Sequence, residues 1–222
     1  MGLFDVFKKK KSGPLYTYTE QELKEFEKFV NGAFGKFDNV FHEITSPDIH
    51  LDVCICDPGE RPYITLVTMG AGAFPMPIPE QWKHFDIGHA EYVMCIPKDW
   101  NLGSSAMEDY WPIKVLKDTA RLPVACDTWL SFGHTAQGDE EGSAYAPNTR
   151  LNSVVLDFVE NKNGTVRLKL SSGKTINFYI VIPLYPEELA FKMQSDAETL
   201  FKKFEEQDVM YRLVDPNRKS AI

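Results

Sequence analysis

The chain has 222 residues, a formal net charge of −8, 43% apolar residues and 13% aromatics. That composition supplies a real core and excludes a disordered protein, while the length fits one large domain or two small ones. An acidic body argues against gripping a phosphate backbone, which needs clustered Lys and Arg, and favours a protein partner with a basic surface.

Met1–Gly13 reads MGLFDVFKKKKSG, with Lys8, Lys9, Lys10 and Lys11 set against Asp5. It is expected to be a flexible basic arm before a single domain over residues 14–222. The alternative is a short amphipathic membrane toe-hold through Leu3, Phe4, Val6 and Phe7 beside the lysines, which is too short to anchor firmly. No run approaches the ~20 apolar residues of a membrane span, and no secretory signal is present, so the expected location is cytoplasmic. Thr19 and Glu22 form a capping box, and Leu23, Phe26, Val30, Ala33, Phe34 and Phe37 follow at helical spacing. These predict a helix from about Glu20 to Phe37.

Short strands are expected at Val40–Thr45 and His50–Asp57. On the second, His50, Asp52, Cys54 and Cys56 share a face and are all metal-ligand types. Residues two apart on a strand are separated by roughly 7 Å, however, so the four cannot converge on one ion. The four cysteines, Cys54 and Cys56 with Cys95 and Cys126, read as reduced and mostly buried thiols.

The centre of the chain is Tyr63–Trp100. YITLVTM (Tyr63–Met69) and AEYVMCIP (Ala90–Pro97) read as buried strands. The loop between them carries Pro75, Pro77 and Pro79, which stiffen it and bar it from a sheet centre. A rigid aromatic loop of this kind suits surface presentation better than chemistry. A helix is expected from Asp109 to Leu122, ended by Pro123, and Thr128–Thr135 alternates as a strand would. Further strands are predicted at Asn152–Val159, Thr165–Leu170 and Ile176–Tyr185. Pro186 starts a helix, Ser195 with Glu198 caps another to about Glu206, and DPNRKSAI reads as a tail.

No HExxH, P-loop, GxSxG or CxxC motif is present. Gly70-Ala71-Gly72 imitates the start of a dinucleotide fingerprint, but Pro75 stands at the third glycine position and no helix is expected after it. His84, Asp86 and His89 are close in sequence, without a second ligand pair. His134 is the one candidate base, with Asp127 or Glu91 to orient it; a hydrogen-bonded structural histidine is the commoner case. No catalytic residue, metal or cofactor is assigned. Trp82, Trp100, Trp111 and Trp129, with Tyr92, Tyr145 and Phe85, are types enriched at interfaces, though any one of them more often belongs to a core. Trp82, following the proline ladder, is the candidate for partial exposure.

The runs TLVTMGAGAFPMPIPEQW and AEYVMCIPKDW (within Thr65–Trp100), WPIKVLKDTARLP (Trp111–Pro123), TWLSFGHT (Thr128–Thr135), APNT (Ala146–Thr149), NFYIVIPLYPEELAFKM (Asn177–Met193) and DPNR (Asp215–Arg218) resemble, in that order, the suppressor of fused domain family. The resemblance covers about Ile49 to Arg218 and is nearest to the compact bacterial members. It implies an α+β fold, a mixed and mainly antiparallel sheet packed by several helices, that binds another protein without known catalysis. Animal members grip an extended peptide; bacterial members are expected to be immunity proteins neutralising a toxin. The family's polar matches fall on His50, Asp52, Glu91, His134, Asn148 and Thr149, which the resemblance groups into one hydrogen-bonding face as candidates for binding or for fold support; from the aromatic set, Trp82 and Trp129 are the candidate contacts. Where animal members insert a longer hairpin, this chain has only Asp86–His89. The alternatives are a scaffold that sequesters a partner's peptide, an enzyme built on His134 with Glu91 or Asp52, and a membrane-proximal scaffold using Met1–Lys11.

Overall fold

A computed structural model describes residues 15–222; the basic arm at residues 1–13 lies outside them. The first helix among the described residues, α1 (Glu20–Ala33), begins at the capping box. Thr19 Oγ1 accepts the Glu22 amide and the Glu22 carboxylate accepts the Thr19 amide. It stops four residues earlier than expected, because Gly35 adopts a φ of 113° that reverses the chain. Phe37 therefore opens a strand, β1 (Phe37–Phe41), rather than closing a helix.

Next come β2 (Asp52–Cys56), β3 (Tyr63–Met69), β4 (His89–Pro97), α2 (Met107–Cys126), β5 (Thr135–Gln137) and β6 (Ser153–Phe158). The small pair β7 (Glu160–Asn161) and β8 (Gly164–Thr165) leads to β9 (Arg167–Lys169) and β10 (Thr175–Leu184). The helices α3 (Pro186–Gln194) and α4 (Ala197–Glu206) follow. One sheet runs β1-β2-β3-β4-β10-β6-β5, with β9 also on β10. Every pairing is antiparallel except β4 with β10. β10 is buried along its whole length, which is why its sequence is a continuous apolar run instead of an alternating one.

The expected α+β fold with a mixed, mainly antiparallel sheet is the one found. Alternation along the strands builds a core on each face. On one side Tyr92, Met94, Tyr179 and Val181 pack against Trp111, Ile113 and Leu116 of α2. On the other, Cys54, Cys56, Val93 and Phe178 meet Phe26 and Val30 of α1 and Phe34 at its C-cap, and Ile180 and Ile182 meet Leu200, Phe201 and Phe204 of α4. The cysteines are all free, and burial pushes the Cys54 thiol well up and that of Cys56 to about 12. Most of the large aromatics belong to this core: Trp111 and Tyr92 are buried, and Trp111 stacks on Tyr145 at 5.8 Å.

Several expectations need correction. Pro123 does not end α2. Its missing N–H forfeits one bond close to the terminus, and the helix continues to Cys126, where the left-handed cap Asp127 donates back to Pro123 O. Residues 128–134 form no strand, although they alternate: the chain turns at Ser131–His134 around Gly133 (φ 75°), and only Thr135 enters the sheet. The cap of α4 is Asp196, not Ser195, because the Asp196 carboxylate accepts the Thr199 amide.

The C-terminal residues are no tail. Arg218 forms a two-pronged ion pair with the fully buried Glu188 at 2.6 and 2.5 Å, and lies over the Tyr185 and Phe204 rings. Ala221 is also buried and donates its amide to Glu188. Among the described residues no helix is long and apolar enough to cross a membrane.

Candidate binding site

The central loop is anchored before it is displayed. Phe74 and Met76 alternate with the prolines and turn into the core, so the proline ladder is held by its apolar members. It then forms a short helical turn over Glu80–Phe85, closed by Asp86 in the left-handed conformation at φ 56°. The Phe85 and Asp86 carbonyls at its end are tied to the sheet. Arg167 donates to Phe85 O at 2.6 Å and to Asn177 Oδ1 at 2.7 Å, and Asn177 donates to Asp86 O at 3.0 Å and His89 O at 2.9 Å. Arg167 and Asn177 are register partners on β9 and β10, so the sheet fixes where this turn sits.

The turn presents Trp82 and Phe85, stacked at 5.8 Å and exposed by 43% and 48%. They form one wall of a cleft of about 450 Å³. Trp129 and His134, edge to face at 4.4 Å, also line it, as do Phe132 and Phe158, stacked at 4.7 Å. Burial lowers the His134 pKa, opposed by a hydrogen bond to the Trp129 backbone, with Lys192 as a further depressing charge. His134 is thereby held neutral near pH 7. Three of the candidate residues, Trp82, Trp129 and His134, thus share one cleft.

The other candidates lie in separate hydrogen-bond groups with no partner in common with it. Glu91 is fully buried; its carboxylate accepts from Tyr18 Oη (2.7 Å), Thr68 Oγ1 (2.6 Å), Gly70 N (2.8 Å) and Gly72 N (3.0 Å). The glycine turn that imitates the start of a dinucleotide fingerprint therefore cradles a carboxylate of its own chain. Burial pushes the Glu91 pKa up to about 7 against the pull of those donors.

Asp52 accepts the Glu43 amide at 2.8 Å and meets His42 Nδ1 at 3.0 Å and His50 Nε2 at 3.5 Å. Beside it Arg121 pairs with Glu43 and Asp48. Asn148 donates to Glu108 O, and Thr149 donates to Pro216 O at 2.7 Å, pinning the C-terminal segment. The six polar matches therefore form no single hydrogen-bonded group.

His134 bonds neither Glu91, Asp52 nor Asp127, so the base-and-orienter arrangement is not formed. His84 packs on Phe85 at 4.0 Å and His89 Nδ1 lies 2.8 Å from Gly72 O. Among the described residues no three His, Cys, Asp or Glu side chains are placed to hold a metal ion. Sequence reasoning missed Phe132 and Phe158 as cleft residues, although both sit in runs read as strands. It missed Arg167 altogether, since nothing local marks one arginine as the clasp of a loop some eighty residues earlier.

The family model for suppressor of fused protein matches residues 47–219, close to the span of the sequence resemblance. Comparison with curated proteins gives no match. Among solved structures, a suppressor of fused homologue from Neisseria gonorrhoeae FA 1090 is similar with a TM-score of 0.59 at 17% identity, covering 92% of this chain and 97% of that one. The Sufu–Fu complex gives a TM-score of 0.60 at 12% identity, covering 92% and 93%. Drosophila Suppressor of Fused gives 0.55 at 11% identity, covering 90% of this chain and 50% of its own. The structural likeness shows a shared fold, and the sequence match over most of the chain shows the family: this protein belongs to the suppressor of fused family.

Proposed function

We propose that this chain is a non-enzymatic protein-binding module, and that it works in the cytoplasm as an immunity protein neutralising a cognate toxin. Residues 14–222 act in this reading as one binding domain behind a basic arm. The observation that carries the reading is the aromatic cleft, with Trp82 and Phe85 exposed side by side on a turn clasped to the sheet. Rigid aromatics displayed this way lose little side-chain entropy on binding and are the types that dominate interface energies. The relative solved as a Sufu–Fu complex lends support, since its name records that it assembles with another protein. A net charge of −8 suits a partner with a basic surface, as a toxin acting on nucleic acid would have. His134, held neutral and bonded to its neighbour's backbone, serves in this reading as a wall of the cleft.

The test is co-expression with the toxin-like product of an adjacent open reading frame. Protection by the wild-type chain, lost in Trp82→Ala/Phe85→Ala while the variant stays folded by circular dichroism, is the expected result. Full protection by that variant removes the cleft from the function, and no protection by the wild-type chain removes the immunity role.

A further inference from the structure

The aromatic cleft differs in charge from the body around it. The chain carries 32 Asp and Glu residues, yet among the described residues none of them lines the cleft. Its charged lining residue is Arg167, on the rim. Arg121, Arg150, Arg212 and Arg218 each pair with a carboxylate. Arg167 has none among the described residues: Nε and Nη2 go to neutral oxygens of Asn177 and Phe85, and Nη1 has no partner there. Arg61 likewise meets carbonyls, but it is used up in closing α1, through Phe34 O and Asp57 O. Arg167 therefore presents an uncompensated cation beside a row of ring faces.

We infer that the cleft receives an acidic segment of a partner protein, seating one bulky apolar or aromatic side chain between Trp82 and Trp129 and pairing an adjacent carboxylate with Arg167. This rests on the protein-binding reading and adds the chemistry of the segment bound. The volume of about 450 Å³ accepts a single large side chain with its backbone. An arginine fork favours a carboxylate over any neutral acceptor. A basic segment would set like charge against Arg167, so a toxin's basic surface has to meet the acidic body elsewhere, and the cleft reads a second feature of the partner.

The probe is a fluorescein-labelled ten-residue peptide with one tryptophan flanked by two glutamates. It is compared by fluorescence anisotropy with a version carrying glutamines for the glutamates, and with one carrying alanine for the tryptophan. The glutamate peptide should bind about five-fold more tightly than the glutamine peptide, the increment of one ion pair. The alanine peptide should not bind. Arg167→Gln should erase the preference for glutamate, Arg167→Lys should retain part of it, and Trp82→Ala should weaken both tryptophan peptides alike. Equal affinity for the glutamate and glutamine peptides, or a preference that survives Arg167→Gln, overturns the inference. So does N-acetyltryptophanamide binding as tightly as the peptide, because the segment then contributes nothing. If the peptides fail while the chain still neutralises its toxin, the inference falls and the protein-binding reading stands. If they bind as expected but no toxin is neutralised, the segment chemistry holds and the immunity role falls.

Discussion

Removing the Arg218 side chain tests how the C-terminal segment is held. Arg218 and Glu188 are 7% and 0% exposed at their side chains, so water does not screen the pair. The fork is closed at both prongs, and Arg218 also donates to Pro183 O at 3.0 Å. Breaking a buried pair from one side costs about 3–5 kcal/mol, because the remaining charge is stranded. In Arg218→Ala, Glu188 keeps two donors, the amides of Tyr185 at 2.9 Å and Ala221 at 3.1 Å. That places the loss near the lower end, about 3 kcal/mol. With a urea slope of roughly 3 kcal/mol/M for a chain of this size, the unfolding midpoint should fall by about 1 M at unchanged slope. Replacing both partners, as Glu188→Gln/Arg218→Met, should recover most of the loss, since no charge is left unpaired. A midpoint shift under about 0.3 M in Arg218→Ala, or a double variant weaker than the single, would refute the reasoning.

Glu91 gives a pH signature. Its folded pKa of about 7 stands above the ordinary 4.5, so the folded state binds the proton more tightly than the unfolded. Its contribution is full below pH 4.5 and is lost as pH rises through 7, a change of about 3 kcal/mol. Urea midpoints of wild type and Glu91→Gln, which mimics the protonated acid, should therefore diverge with rising pH, and a constant difference between pH 5 and 8 counts against it. Gly70→Ala should destabilise by about 3 kcal/mol or more: φ is 122°, and an added Cβ would sit 1.9 Å from His50 O. Loss of soluble protein or a much lowered melting temperature is the expected readout. Asp196→Ala removes the cap of α4 and should cost about 1 kcal/mol, lowering Tm by about 2–4 °C.

What the sequence disclosed was local. The capping box at Thr19 and Glu22, the strands at Tyr63–Met69 and Ala90–Pro97, and the helix beginning at Pro186 all depend on neighbours within a turn or a strand, and each stands where expected. The misreadings depend on contacts far along the chain. DPNRKSAI looks like a tail until Glu188 is seen to need Arg218. Thr128–Thr135 alternates correctly, yet Gly133 donates to Leu156 O in a turn beside β6 that no period reveals. At the site, Trp82 is marked by the prolines before it. Arg167 becomes meaningful only through the β9–β10 register that sets it beside Asn177 and under Phe85. Glu91, a candidate for binding or for fold support, accepts from four donors inside the fold, a set that no local pattern around residue 91 discloses.

The most direct test of the cleft as the binding surface is calorimetric titration of a partner isolated with the wild-type chain, repeated with the Trp82→Ala/Phe85→Ala variant. Truncating two central aromatics should weaken the complex by about 2 kcal/mol or more, a Kd raised at least about thirty-fold, with the variant's melting temperature unchanged. An unchanged Kd would show that the partner is held elsewhere and would contradict the account.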